Sequence, residues 1–466
     1  MAQELIISVS GLRGLVGQTL TPQVVQRYIS AFAEYLKATM GQETGCVLIS
    51  YDGRQSGLEI VTEAVRALAA AGLTGVDLGV AATPTTGFLT AHAEEVLQKL
   101  GVTGPLLGGI QITASHNPHP WNGIKLFTTA GRVIPGAEGA KVKARYEQLA
   151  DLPETRPAEA RKAEVTLQHA HIDAVLQTVD VEAIRARHFR VLLDSNHGSG
   201  SVLGRELLER LGCEMTFGTE NETPDGQFAH TPEPTEENLR EICKKIPAFR
   251  ADIGFCQDPD ADRLAVIDGT GHYIGEEYTV ALCAEAILSE FPERKADGCV
   301  VTNCSTSLMT HDVAERFGFP FFFSNVGEAN VIDKMLANRA LFGGEGNGGP
   351  IDPRVGLVRD SFVGMAQILH LMAKTGKDVA ELTELFSKYE IVKRKYSVSP
   401  EILPQRYAEI KARCADAEIS EQDGLRLAWP GAWVLVRPSN TEPVVRVIAE
   451  AETVLQAERL IDQMGF

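Results

Sequence analysis

The sequence predicts an α/β protein: three similar α/β domains followed by a smaller α+β domain. Three observations carry this. A short apolar strand, a small polar turn and a helix recur three times, with strands at residues 46–50, 190–194 and 299–302. The chain, at 466 residues, is too long for one compact core. From residue 404 on the order changes to a helix, three strands at 425–429, 433–437 and 444–450, and a last helix from Val454.

Taken in order, Ser8-Val-Ser-Gly11-Leu-Arg13-Gly14 places an arginine between two glycines. Such a loop can hold a guanidinium toward phosphate or carboxylate, and it equally reads as a surface turn. A helix is expected over 21–39, with Thr21-Pro22 as N-cap and first turn. The strand at 46–50, the polar turn Tyr51-Asp-Gly-Arg-Gln-Ser-Gly57 and a helix to residue 71 make the first unit. An alternating run at 108–113 then ends in Ala114, Ser115, His116, Asn117 and Pro118. Residues 151–163, rich in Pro, Glu, Arg and Ala, read as a linker. The second unit turns at Ser195-Asn-His-Gly-Ser-Gly200 and the third at Asn303-Cys-Ser-Thr306. Phe321, Phe322 and Phe323 read as a buried strand.

Composition narrows the function classes. A net charge of -18 argues against broad nucleic-acid or anionic-membrane binding, but not against a small anionic substrate held by a local cationic cluster. No stretch approaches the roughly 20 apolar residues of a membrane span. The eight cysteines form no CxxC pair and read as reduced core thiols of a cytoplasmic protein. His169, His171, His311 and His370 lie in helical patterns and read as packed or solvated side chains.

Four stretches carry chemistry. Ser115, delivered at a strand end beside His116 and shortly before Lys125, is how a chain presents a nucleophile, although turn residues alone would look the same. Asp258, Asp260 and Asp262 alternate after an apolar strand and would repel one another without a cation between them; hard oxygen ligands suit Mg²⁺. A calcium-binding EF-hand loop is excluded, because Arg263 and Gly269 stand where Gly and Glu are needed. A solvated acidic turn, or Asp258 or Asp260 as an aspartyl nucleophile of a sugar phosphatase, are the competing readings. Five glycines in the seven residues from Gly343 to Gly349 leave only Glu345 and Asn347 projecting, a pair suited to neighbouring sugar hydroxyls or simply a flexible turn. No Gly-Lys-Ser/Thr follows, so it is not a nucleotide-binding Walker loop. Arg437-Pro-Ser439-Asn440-Thr441-Glu-Pro-Val-Val-Arg446 sets hydroxyls, an amide and backbone N–H groups between two arginines, an anion-binding candidate that also reads as a polar hairpin.

Together these motifs, with Arg13, strongly resemble the α-D-phosphohexomutase superfamily over essentially the whole chain and in the family's order. The Gly-Glu-Gly-Asn-Gly-Gly form looks nearest the archaeal-type phosphoglucosamine mutase branch, whereas Thr113-Ala-Ser-His-Asn-Pro and Ser439-Asn-Thr look more like phosphomannomutase or phosphoglucomutase. The resemblance implies mixed-sheet α/β domains at 1–153, 154–271 and 272–389 and an α+β domain at 390–466, in a heart-shaped molecule with a central active-site cleft. It implies a phosphoserine at Ser115, one Mg²⁺ held by Asp258, Asp260, Asp262 and the serine phosphate, and charge neutralisation by Arg263. Glu345 and Asn347 would bind the sugar; Arg437, Ser439, Asn440, Thr441 and Arg446 would bind its phosphate. Lys125, within Asn122-Gly-Ile-Lys125, leads His116 and Arg13 as proton-transfer or orienting group. The implied reaction moves a phosphoryl group between O6 and O1 of a hexose phosphate, with hexose 1,6-bisphosphate as intermediate and activator, in a monomer or homodimer. Glucosamine phosphate is slightly favoured over mannose or glucose phosphate. A non-catalytic sugar-phosphate binding protein is the remaining alternative. The chain departs from many relatives in carrying Asn347 where they have Ser and Gly349 where they have His.

Overall fold

Local signals form the first helix as expected. Thr21 caps Pro22–Met40 by accepting from the Val24 N–H, and Val25, Tyr28, Ile29, Phe32, Ala33 and Leu36 recur at helical spacing along one buried face. The computed structural model describes residues 5–101, 104–149, 157–219, 222–293, 297–438 and 444–466.

The described residues form four sheets. The first has seven strands in the order Ile6–Ser8, Gly11–Leu15, Trp121–Phe127, Leu106–Ile112, Gly45–Tyr51, Leu73–Val80 and Arg161–Lys162. Its last member comes from the stretch read as a linker. An open sheet edge accepts any extended segment, so a polar composition did not prevent pairing alongside Leu73–Val80. The second sheet runs Leu264–Asp268, Ile253–Gln257, Arg190–Asp194, Glu214–Phe217, and the third Phe321–Ser324, Val300–Asn303, Phe342–Glu345, Gly349–Ile351. The C-terminal sheet is antiparallel throughout, in the order Glu390–Tyr396, Val445–Ala451, Ala432–Pro438, Leu425–Trp429, Glu418–Ser420. Phe321–Ser324 is a strand, but at a sheet edge with Phe322 37% exposed, so it is not the buried strand that three phenylalanines suggest.

Each α/β sheet combines parallel strands with antiparallel pairing, and in each one hairpin connection carries the chemistry. Ile112 pairs with Ile124 around the Ser115 loop, Gln257 with Leu264 around the aspartates, and Glu345 with Gly349 around the glycine loop. The three loops are brought together because the domains share packing. Phe88 and Leu89 of the first sheet's helices, Ile172 and Val175 of the second domain, and Phe362 and Val363 of the third belong to one buried cluster. Each such side chain contributes about 1.5–3 kcal/mol when fully buried. Polar ties reinforce it: Gln257 donates to Ser361 Oγ at 2.7 Å, and Ser361 Oγ donates to the Ala261 carbonyl at 2.7 Å. His171 is buried between Thr85 and Asp360, 2.8 Å from the Asp360 carboxylate. All eight cysteines are unpaired. Among the described residues no helix is long and apolar enough to cross a membrane.

Candidate active site

Ser115 lies at the end of the fully buried strand Leu106–Ile112, is itself 1% exposed, and adopts a left-handed φ of 51°. A non-glycine residue held there costs about 1–3 kcal/mol, so its surroundings must hold it in place. They do so through two residues not singled out in the sequence. Asp52 accepts from Thr113 Oγ1 at 2.7 Å, and Thr113 Oγ1 accepts from the Ser115 N–H at 2.7 Å. Arg54, 2% exposed, donates to the carbonyls of Ser115 and Asn117 at 2.7 Å each, Pro118 at 3.1 Å and Trp121 at 3.0 Å, and to Asp52 at 3.0 Å. Its guanidinium also stacks on Phe228 of the second domain, 4.8 Å from the ring centre. The only sequence signal was a buried-strand end followed by Asp-Gly-Arg, which looked like an ordinary turn. Arg13 reaches the same loop, donating to Asn117 Oδ1 at 2.9 Å.

Ser115 Oγ donates to Asp258 Oδ2 at 2.7 Å, joining the first hairpin to the second across 143 residues. Asp258, Asp260 and Asp262 are each fully buried, and one oxygen of each lies within 4.8 Å of the others. Their remaining contacts are unequal. Asp260 Oδ2 accepts from Thr83 at 2.5 Å and Lys125 at 2.6 Å; Asp262 Oδ2 accepts from Lys125 at 2.7 Å and Arg359 at 2.6 Å. Asp260 Oδ1 and Asp262 Oδ1 are buried with no hydrogen-bond partner. Burial, then the charges of Asp260 and Asp262, push the Asp258 carboxyl well above the usual carboxylate range. Converging hard oxygens, two of them unpartnered, fit a small divalent cation such as Mg²⁺.

Cations surround the triplet. Burial opposes the Lys125 ammonium, but Asp260 and Asp262 outweigh it and raise its pKa. His116 is the reverse case: Arg263, burial and Arg13 lower it to about 2, so the ring is neutral. Its Nδ1 sits 3.4 Å from Ser115 Oγ. Arg263 Nε is 3.9 Å from Asp262 Oδ1, and its backbone N–H donates to Asp258 Oδ1 at 3.2 Å.

The glycine loop follows Phe342–Glu345. Glu345 is 4% exposed, accepting on Oε1 from Asn303 Nδ2 at 2.7 Å and the Gly327 N–H at 3.0 Å, and on Oε2 from Arg359 at 3.0 Å. Asn347 Oδ1 is buried and unpartnered. Gly348 has a φ of +81°, and a Cβ there would collide with the Leu264 carbonyl oxygen, so the close approach of the two hairpins needs glycine.

In the C-terminal sheet Arg437 pairs with Arg446, which pairs with Lys395, so three cations stand side by side across three strands. Arg437 is 3.4 Å from Asp423, whose other oxygen accepts from the Val326 N–H at 2.8 Å. Since Gly327 donates to Glu345, the arginine end of this sheet is linked to the glycine loop. Ser439, Asn440 and Thr441 lie outside the described residues.

Four consecutive stretches match family models described as phosphoglucomutase/phosphomannomutase: alpha/beta/alpha domain I over residues 5–152, domain II over 169–271, domain III over 276–389, and the C-terminal domain over 377–464. A phosphoglucomutase/phosphomannomutase of Thermococcus kodakarensis is 34% identical over 457 residues, covering 97% of this chain and 96% of the relative. A probable phosphoglucosamine mutase of Methanopyrus kandleri is 32% identical over 466 residues, covering 97% of this chain and 95% of the relative. The crystal structure of a phosphoglucomutase/phosphomannomutase family protein from Burkholderia thailandensis matches with a TM-score of 0.83 at 26% identity, covering 98% of this chain and 95% of that one.

Proposed function

The chain belongs to the phosphoglucomutase/phosphomannomutase family, and on that premise we propose that this phosphohexomutase interconverts glucosamine-6-phosphate and glucosamine-1-phosphate through a phosphorylated Ser115 and a hexose 1,6-bisphosphate. The observation that carries the reading is Ser115 Oγ seated 2.7 Å from Asp258, the first of three buried aspartates, of which Asp260 and Asp262 each keep one unpartnered oxygen. The sequence Gly344-Glu-Gly-Asn-Gly-Gly349 and the phosphoglucosamine mutase names among the relatives support the choice of sugar. The 34% identical relative, named phosphoglucomutase/phosphomannomutase, supports glucose or mannose phosphate as the second reading.

Ser115 is the phosphate carrier in this proposal. Asp258, Asp260 and Asp262, with the serine phosphate, would hold Mg²⁺, which when bound neutralises charge developing on the transferred group. In the first transfer the Ser115 Oγ–P bond breaks and a P–O bond to the free sugar hydroxyl forms. The hydroxyl loses its proton, and Ser115 Oγ ends protonated. Lys125, charged and paired with Asp260 and Asp262, is the first candidate for proton transfer or for orienting the hydroxyl, and neutral His116, 3.4 Å from Ser115 Oγ, is the second. Arg263 and Arg13 add positive charge around the Ser115 loop. Glu345 and Asn347 orient the ring hydroxyls. The bisphosphate then reverses so that its other phosphate faces Ser115, and the second transfer restores phosphoserine. Arg437, Ser439, Asn440, Thr441 and Arg446 hold whichever phosphate is distal, because they read an anion rather than a ring position. Free thiols at all eight cysteines suit a reducing compartment, and we place the enzyme in the cytoplasm.

A coupled assay with Mg²⁺ and hexose 1,6-bisphosphate tests the reading directly. Glucosamine-6-phosphate should give the highest kcat/KM. Preference for mannose-1-phosphate or glucose-1-phosphate would replace the proposed sugar, and no turnover of any of the three would overturn the mechanism.

A further inference from the structure

Gly349 and Arg359 occupy each other's space. A Cβ on Gly349 would collide with Arg359 Cδ and stand 2.8 Å from its Cγ, so only glycine at 349 admits the arginine in this position. The backbone of Arg359 is fixed from two sides. Its N–H donates to Glu328 Oε1 at 2.8 Å, and the next residue, Asp360, caps the helix Ser361–Thr375 and binds His171 at 2.8 Å. From this anchored start the side chain, in a residue 7% exposed, reaches two hairpins of different sheets. Nη2 donates to Asp262 Oδ2 at 2.6 Å and Nη1 to Glu345 Oε2 at 3.0 Å, with Glu328 Oε2 3.7 Å from Nε.

We propose that Arg359 is a positioning residue that joins the acid triplet to the sugar-binding carboxylate, with Gly349 as the gap that lets it in. The inference rests on the proposed function for the roles of Asp262 and Glu345. A planar guanidinium reaches the two carboxylates from separate nitrogens in a fixed fork; an ammonium must serve both from a single point, as Lys125 does for Asp260 and Asp262, whose acceptor oxygens converge on it. With Oε1 tied to Asn303 and Gly327, the Arg359 contact sets the last degree of freedom of the Glu345 carboxylate. With Lys125, the same fork holds Asp262 by Oδ2 and leaves Oδ1 without a hydrogen-bond partner. Cation binding and sugar binding are thereby coupled through one side chain, and the coupling is reciprocal.

The test uses the full-length protein, calorimetric titration with MgCl₂, and steady-state kinetics with glucosamine-6-phosphate. Arg359→Gln should weaken Mg²⁺ binding and raise KM, each by about 10–100-fold, as loss of an outer-shell partner does. Arg359→Lys should recover one of the two properties and not both. Gly349→Ala should reproduce Arg359→Gln by expelling the side chain, and the double variant should be no worse than either single change, because both remove the same interaction. If Arg359→Gln does not fold, Arg359→Lys and Gly349→Ala carry the test. Folded variants that lose thermal stability but keep Mg²⁺ affinity and KM within about two-fold of wild type, a change too small to be one lost interaction, would overturn the inference. A wild-type protein that binds neither Mg²⁺ nor hexose phosphate would overturn the proposed function instead.

Discussion

Replacing Arg54 by Lys keeps a positive charge beside Asp52 but removes the planar fork that holds the Ser115 loop. The Arg54 side chain has five acceptors: Asp52 and the carbonyls of Ser115, Asn117, Pro118 and Trp121. An ammonium offers three donors from one point, so at least two acceptors lose their partner. At about 1.5–3 kcal/mol per charge-assisted bond, the loss is about 3–6 kcal/mol. That equals or exceeds the about 1–3 kcal/mol of strain at the left-handed Ser115, so the loop should relax and carry Oγ away from Asp258. A misplacement of about 1 Å costs on the order of 100-fold in rate, and kcat should fall by at least that factor. Arg54 touches neither Glu345 nor the arginines of the C-terminal sheet, so the Kd of hexose phosphate should move by less than about three-fold. The assay pairs kcat with calorimetric binding and with intact mass after exposure to hexose 1,6-bisphosphate. A folded Arg54→Lys protein with wild-type kcat and full phosphorylation of Ser115 would refute the clamp.

Ser115→Ala should abolish turnover and the phosphatase-sensitive mass difference together; retention of either excludes Ser115 as the carrier. Chelation should abolish turnover and added Mg²⁺ restore it, while Asp260→Asn should weaken Mg²⁺ by at least ten-fold, the scale of losing a charged ligand; unchanged affinity would place the cation elsewhere. Glu222 provides a pH test away from the site. Burial and then Asp194 push its carboxyl up to about 9, while its Oε1 accepts from the N–H groups of Ser195 and Asn196. The folded state therefore holds a proton that the unfolded chain loses in the ordinary carboxylate range. Stability from this group is full below that range and is lost as pH rises through about 9. Urea midpoints should fall toward alkaline pH, and Glu222→Gln should flatten the fall; equal slopes in both proteins would contradict it.

Much of the fold could be read from local pattern. The Thr21-Pro22 cap, the strand-turn-helix units and the final run of strands depend on periodicity and turn chemistry, which are properties of short segments. The reading failed where burial depends on position in a sheet. Phe321–Ser324 has the residues of a core strand but lies at an edge, and no local feature distinguishes the two cases.

The site divides in the same way. Asp258, Asp260 and Asp262 were legible because three carboxylates within one hairpin turn state their problem, mutual repulsion, in the sequence itself. Glu345 and Asn347 stood out because glycines surround them. What the sequence determined by itself is therefore the set of groups whose chemistry is concentrated in one loop. Only the tertiary structure decided which loops meet. Ser115 reaches Asp258 across 143 residues. Arg54 stands in what looked like a polar turn, and Arg359 ahead of a helix with no motif around it. Thr83 likewise meets Asp260 across 177 residues. Their roles come from the packing of separate sheets, where a donor's value depends on which unpaired carbonyl or carboxylate lies opposite. That pairing is a property of the assembled domains and leaves no trace in residue spacing.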